Sequence, residues 1–175
     1  MRGRNGAVTS STLKTGMLIR PAVPSDDKAL RQIITPIIKA GETYALPSDW
    51  TEVEALAYWR SPAHAVFVAD EGTVVGTYYI RPNQRGGGDH VANCAFMTAA
   101  NAAGRGVASA MCTHALQYAA AAGYAAMQFN FVVSTNARAI ALWQKFGFEI
   151  VGRLPGAFRH PTQGLVDALV MYRKL

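Results

Sequence analysis

Gly104, Arg105 and Gly106 stand between an apolar stretch, His90 to Thr98, and an alanine-rich one that begins at Val107. Two glycines so placed let the backbone turn tightly and leave its N–H groups unshielded by side chains. Val107, Ala110, Met111, Ala115, Tyr118 and Ala119 form a helical stripe that Gly123 stops. His90 to Thr98 has the near-continuous apolar character of an interior strand. A strand, a glycine turn and a helix start together point backbone N–H groups and the positive end of a helix dipole at one spot. That spot suits phosphate oxygens.

Two common phosphate-binding patterns do not fit. No Lys-Ser or Lys-Thr follows the second glycine, so this is no P-loop, and Ser109 stands where a G-x-G-x-x-G fingerprint needs its third glycine. The stretch resembles the acetyl-coenzyme A loop of the GNAT superfamily of N-acetyltransferases: Arg or Gln, two residues, Gly, one residue, then Gly or Ala. Ala103, Gly104, Arg105, Gly106, Val107 and Ala108 fill it, with Ala103 where the family prefers a long polar side chain. A second stretch, FNFVVSTNARAIALWQKFGFEIVG, resembles the family's other signature, with Asn136, Ala139, Leu142, Gly147 and Phe148 in its positions. Both motifs occur in the family's order, and the resemblance extends from Met17 to Leu175.

The resemblance implies an enzyme that transfers acetyl directly from the acetyl-coenzyme A thioester to an amine, with acetyl-coenzyme A as cosubstrate and no metal. The cofactor-binding residues it implies are Phe96, Met97 and Thr98 on the central strand, the loop from Ala103 through Ser109, and Asn136, Ala139 and Trp143. One N–H among Phe96, Met97 and Thr98 is expected to face the thioester oxygen, which makes Met97 a catalytic candidate. Trp143 replaces the tyrosine that many relatives place seven residues after the helix-start Asn. An indole N–H donates hydrogen bonds but is not a useful acid. Either the thiolate leaves without an enzymic acid or another group supplies the proton.

The expected base is Glu42, directly or through water, in the loop GETYALPSDW that carries acceptor specificity in the family. Thr43, Tyr44 and Trp50 are its other acceptor contacts. Aromatic side chains with one carboxylate suit a compact cation, so a small-molecule amine (an amino acid, polyamine or antibiotic-like compound) is favoured over a protein terminus or lysine. The alternatives are a protein or peptide acetyltransferase and a non-catalytic acyl-coenzyme A binding module. Asn130, polar in an otherwise apolar strand, needs hydrogen-bond partners and is placed in the acceptor pocket with a catalytic role. His90 is a poor candidate, because eight residues of strand put it roughly 26 Å from Thr98. His114 falls on the buried stripe as a core histidine, and His160 in the last loop is a further acceptor contact.

The elements that must position these residues follow from periodicity and punctuation. Met17–Arg20 is a first strand. A helix follows to about Lys39, capped by Ser25 or Asp26, buried through Leu30, Ile33, Ile34, Ile37 and Ile38, and kinked at Pro36. Asp49 or Thr51 opens a short second helix. Ala65–Ala69 and Thr73–Arg81 form a hairpin, and the run Gly86–Gly88 makes the next connection a mobile loop. Tyr124–Val133 is a strand, Asn136–Phe146 a helix, and Phe148–Arg153 with Asp167–Arg173 an antiparallel pair joined by a long loop. The fold class is α/β (α+β), a GNAT-like mixed, mostly antiparallel sheet of six to seven strands with helices on both faces.

The chain has 175 residues, enough for one domain with an ordinary core. Three of its six net positive charges lie in residues 1–16, which read as a disordered basic tail ahead of a single domain, 17–175. The body lacks the interleaved aromatic and basic residues of a nucleic-acid binder, so nucleic acid is not an expected partner. No run approaches the roughly eighteen apolar residues of a membrane span. Cys94 and Cys112 have no metal-ligand spacing and read as free buried thiols of a reducing, cytoplasmic setting. A homodimer through the terminal hairpin or a sheet edge is the expected assembly, by analogy with the family.

Overall fold

A computed structural model describes residues 11–12 and 16–175. The chain forms β1 (Ser11–Thr12), β2 (Leu18–Pro21), α1 (Asp27–Ala40), α2 (Glu52–Trp59), β3 (Ala65–Asp70), β4 (Val74–Pro82), β5 (Val91–Thr98), α3 (Val107–Ala121), β6 (Ala126–Val133), α4 (Ala137–Lys145), β7 (Glu149–His160) and β8 (Gly164–Lys174). They build one sheet in the order β1-β2-β3-β4-β5-β6-β8-β7. Every neighbouring pair is antiparallel except β5 and β6. The expected mixed sheet is therefore present, with seven longer strands and the two-residue β1. Ser11 and Thr12 pair with Ile19 and Leu18, and the remainder of the expected basic tail, apart from Gly16, lies outside the described residues. Among the described residues, no helix is long and apolar enough to cross a membrane.

Two apolar layers cover the sheet. On one face Ile33, Ile34 and Ile38 of α1 and Ala55 and Trp59 of α2 pack on Tyr79 and Met97. On the other, Val107, Met111, Cys112, Ala115 and Ala119 of α3 and Trp143 of α4 pack on Ile19, Phe67, Tyr78, Phe129 and Phe148, among others. α1 continues through Pro36, which cannot donate to the carbonyl four residues before it. Asp26 occupies the cap position of α1 but does not cap it. Its carboxylate instead accepts from Arg20 Nη1 and Nη2, at 2.7 and 2.9 Å, and from the Val23 N–H at 2.8 Å. Arg20 also bonds Asp70, so these charges fasten β2 to the start of α1 and the end of β3. Thr51 does cap α2: its hydroxyl accepts from Glu54 N–H, and the Glu54 carboxylate accepts from Thr51 N–H.

The last hairpin departs most from expectation. The segment read as a long loop is largely strand, and β7 and β8 pair out to His160↔Gly164 with irregularities between Ile150 and Gly152 and between Leu154 and Phe158. Pro155 and Gly156 disguise this strand in the sequence, since both weaken the usual strand signal. Gly86–Gly88, expected as a mobile loop, form a short 3₁₀ turn.

Gly76 in β4 controls how closely α3 approaches. A Cβ there would lie 2.7 Å from Val107 Cγ1 and 3.0 Å from Met111 Cε. Gly76→Ala should thus cost about 1–3 kcal/mol in urea unfolding, the range for overpacking, because β-branched Val107 has little freedom to yield. Unchanged stability would mean that the first turn of α3 shifts freely.

Candidate active site

The site is built on a strand that loses its partner. β5 and β6 pair only at Val91↔Ala126 and Ala92↔Met127. One residue later the Asn93 side chain, rather than its backbone, donates to Gln128 O at 3.0 Å. Past this point the strands part and cavities open between them.

Which backbone groups face the gap follows from the β4–β5 ladder. Val91 O accepts from Asn83 N–H and Ala99 N–H donates to Val75 O, so the odd-numbered positions of β5 turn toward β4. Register is unbroken between them, which turns Cys94, Phe96 and Thr98 toward β6. The Met97 N–H consequently belongs to the β4 ladder, opposite Thr77, and its side chain packs with α1 and α2. Met97 as the expected thioester-facing donor is therefore corrected: Phe96 and Thr98 present the free edge.

A cavity of about 570 Å³ lies on the α3/α4 side and is lined by Ala102, Ala103, Gly104, Gly106, Val107, Ala108 and Ser109, with Asn136, Arg138, Ala139 and Lys145 from around α4. Gly104 and Gly106 have φ of +81° and +82°, conformations that side-chain-bearing residues rarely adopt. The first helical bond of α3 is Ala110 N–H to Gly106 O, so the N–H groups of Val107, Ala108 and Ser109 have no acceptor within the helix. Nothing lies within 4 Å of a Cβ placed on Gly106. Open space, unpaired N–H groups and two cations fit a pyrophosphate.

The Arg105 side chain leaves the cavity to pair with Glu71. Arg138 and Lys145 supply the positive charge instead. They are seven residues apart on α4 and so share a face, a spacing that was readable in the sequence. Arg138 Nη2 would lie 3.7 Å from a Cβ at Gly104.

A second cavity, about 410 Å³, opens on the α1/α2 side. Its lining includes Ile37, Thr43, Tyr44, Tyr58, Tyr79, Arg81, Asn93 and Asn130. Phe96, Thr98, Asn136, Ala139 and Trp143 line both cavities, so the two meet at the free edge of β5. Asn136 spends its carbonyl oxygen on capping α4 at Ala139 N–H, 3.3 Å. Trp143 is a wall of both cavities and part of the core, 5.1 Å from Phe96 and 5.0 Å from Phe129 between ring centroids.

Tyr44 meets that edge directly. Its hydroxyl donates to Phe96 O at 2.6 Å and accepts from Phe96 N–H at 3.2 Å. Burial pushes the phenol well above its ordinary pKa, so it stays protonated. Glu42 precedes the lining run Thr43–Leu46 and does not line the cavity, and Trp50 packs at a tilt against Tyr58 outside it. Among the described residues, no Asp, Glu or His lines either cavity. Asn130 does line this second cavity, but its amide is committed: Nδ2 donates to Asn83 Oδ1 at 2.6 Å and Oδ1 accepts from Gln128 Nε2 at 2.8 Å.

The remaining candidates lie elsewhere. His90 is exposed before β5, His114 is buried against the Tyr78 hydroxyl at 2.6 Å, and His160 is buried beside Thr162. Cys94 borders the second cavity, but burial holds its thiol well above the usual range and pushes that of Cys112 up to about 12. Neither is an activated nucleophile. Among the described residues, no cluster of His, Cys, Asp or Glu is arranged to hold a metal ion.

Known proteins share this architecture. A GCN5-related N-acetyltransferase from Kribbella flavida is 41% identical and superposes with a TM-score of 0.87 over 93% of this chain and 100% of its own. The N-acetyltransferase aca1 of Schizosaccharomyces pombe is 26% identical over 151 residues, covering 76% of this chain and 72% of that protein. A phosphinothricin acetyltransferase from Sinorhizobium meliloti, solved with acetyl-coenzyme A, has the same fold with a TM-score of 0.79 at 20% identity, over 91% of this chain and 89% of its own. The acetyltransferase (GNAT) family model matches residues 31–148, which hold β3 to β6 and the glycine turn, and the chain belongs to that family of N-acetyltransferases.

Proposed function

We propose that this enzyme transfers acetyl from acetyl-coenzyme A directly to the primary amine of a small molecule. The observation that carries the reading is the meeting of two cavities from opposite faces of the sheet at the unpaired edge of β5. One has the glycine turn and two cations for an anionic donor, and the other is a compact, aromatic-lined space for an acceptor. The donor supplies an activated acyl group, and the protein's task is alignment and charge stabilisation.

The residues divide this work. Val107, Ala108 and Ser109 N–H groups with Arg138 and Lys145 hold the phosphates. Cys94, Phe96 and Thr98 backbone groups pair with the pantetheine arm, and Asn136 and Trp143 close its other side. Phe96 N–H meets the thioester oxygen. An oxygen accepting that N–H replaces the Tyr44 hydroxyl as acceptor and lies beside the phenolic O–H, so Tyr44 becomes a second donor to the same charge. Asn130 shapes the acceptor floor through Asn83 and Gln128. The incoming amine loses its proton to water, with Glu42 acting only from the rim through water. A thiolate of pKa near 8.5 leaves without a residue acid. Two inert thiols support direct transfer with no covalent enzyme intermediate. A homodimer and a cytoplasmic setting belong to the same reading.

The test is release of free thiol from acetyl-coenzyme A, followed with a chromogenic disulfide, across small amines and peptides. Amine-dependent release that is confined to small molecules supports the proposal. Release driven by peptide termini alone would replace it with the protein-acetyltransferase reading. Donor binding without release by any amine would leave only a binding module.

A further inference from the structure

Arg81 is the charged side chain that lines the acceptor cavity, and it is unanswered. It sits on β4 opposite Asn93, on the same face as Tyr79, and is half-buried. Its Nε is buried with no hydrogen-bond partner, and it belongs to none of the ion pairs among the described residues. A guanidinium held in this way has five fixed donors and has lost part of its water, a state that is costly until an anion arrives. The carboxylate expected in this pocket, Glu42, is outside it.

The surroundings add donors rather than acceptors. Tyr58 and Tyr79 hydroxyls lie 3.2 Å apart, so one of their two hydrogens is used between them and the other is left to donate. Both phenols line the cavity. His64 stacks on Tyr79 with centroids 3.9 Å apart, and burial with the Arg81 charge holds it below its ordinary pKa, hence neutral. The amide nitrogens of Asn130 and Asn93 already donate to Asn83 Oδ1 and the Gln128 carbonyl, and Asn130 Oδ1 accepts from Gln128. A second ammonium group in this space would meet Arg81 with no carboxylate to offset it.

Building on the acetyltransferase reading, we infer that the acceptor carries a compact oxyanion, a carboxylate or a phosphorus acid, which Arg81 binds while the amine faces the β5 edge. The acceptor is thus an amino acid or an amino-acid-like amine rather than a polyamine. Geometry agrees with the spacing. Arg81 lies three residues along the ladder from the rung of Phe96, about 10 Å, and the arginine side chain covers part of it, leaving a few bonds between anion and amine.

The experiment uses matched acceptors: α-amino acids, the amines left when their carboxylate is replaced by hydrogen, aminoalkylphosphonates, and putrescine. Each is assayed for turnover, and each is also titrated calorimetrically into the coenzyme A-loaded protein, which needs no chemistry. The wild type should favour anion-bearing members by about 10- to 100-fold, the range for one charge-assisted pair. Arg81→Gln should erase that preference through KM, leaving turnover of the anion-free amines and coenzyme A affinity unchanged. Arg81→Lys should keep part of it. Equal use of anion-free amines or putrescine by the wild type overturns the inference while the acetyltransferase reading stands, as does an equal effect of Arg81→Gln on both members of each pair. If anionic amines bind in an Arg81-dependent way but none is acetylated, the anion site stands and the small-molecule transferase reading falls. If none binds and none turns over, the inference is overturned.

Discussion

Gly106→Glu should abolish acetyl-coenzyme A binding, with an affinity loss of at least about 100-fold, and leave a folded protein. Gly106 has φ +82°, which a side chain tolerates at a cost of about 1–2 kcal/mol, so the stability penalty is small against a typical domain. A Cβ at this position enters open space, not neighbouring protein. That space is the cavity where unpaired N–H groups at the start of α3 converge, so the variant places both bulk and a carboxylate where phosphate oxygens must sit. Losing two charge-assisted hydrogen bonds at about 1.5–3 kcal/mol each already exceeds the 2.7 kcal/mol or so that a 100-fold change requires. Gly106→Ala separates the causes: it carries the same backbone strain without the charge, and should weaken the donor by about 10-fold or less. Calorimetric titration of coenzyme A, with a thermal melt of each variant, checks both statements. If Gly106→Glu binds the donor normally, the phosphates do not lie at this turn.

The donor half of the site was legible in the sequence because it is local. Gly104, Gly106 and the start of α3 are consecutive residues, and backbone N–H groups do the binding, so spacing alone specifies the geometry. Asn136 could be placed for the same reason, as a cap three residues from the N–H it holds. The acceptor half was not legible in this way. Tyr44 reaches a strand residue 52 positions away, and no periodicity encodes such a contact. Glu42 has the chemistry of a base, but a loop after a left-handed Gly41 directs Thr43 to Leu46 inward and leaves Glu42 out. Met97 lies one residue from the free-edge positions Phe96 and Thr98, and in a strand one residue reverses which side the N–H faces. Arg81 looked like a strand end, and nothing in the sequence says that it lacks a partner.

The fold followed the same division. Strands and helices with regular periodicity appeared within a residue or two of their expected limits, as β5 and α3 show. β7 did not, because Pro155 and Gly156 lie inside it and an antiparallel partner with irregular register tolerates both.

Tyr44→Phe should lower kcat by about 100-fold with the affinity for acetyl-coenzyme A unchanged. In the described structure the hydroxyl bridges both polar backbone groups of Phe96, in the gap where β5 has no strand neighbour. A thioester oxygen that takes the Phe96 N–H comes to rest next to the phenol. The phenol then contributes one of two donors to the charge that develops there, and loss of one such donor typically costs about 10²–10³ in kcat. Full proton transfer is the weaker assignment. Burial raises the phenol well above its ordinary pKa, whereas the departing thiol lies near 8.5, so moving the proton to sulfur is uphill. For the same reason Tyr44 should produce no alkaline limb in the kcat profile below about pH 9, and the rate should follow the free-amine fraction of the acceptor. The opposing possibility has a different signature. If the hydroxyl merely occupies the donor's edge in the empty enzyme, Tyr44→Phe frees Phe96, tightens acetyl-coenzyme A binding and leaves kcat intact. Single-turnover rates together with donor titration distinguish a stabilising donor from a plug, since one variant cannot give both results.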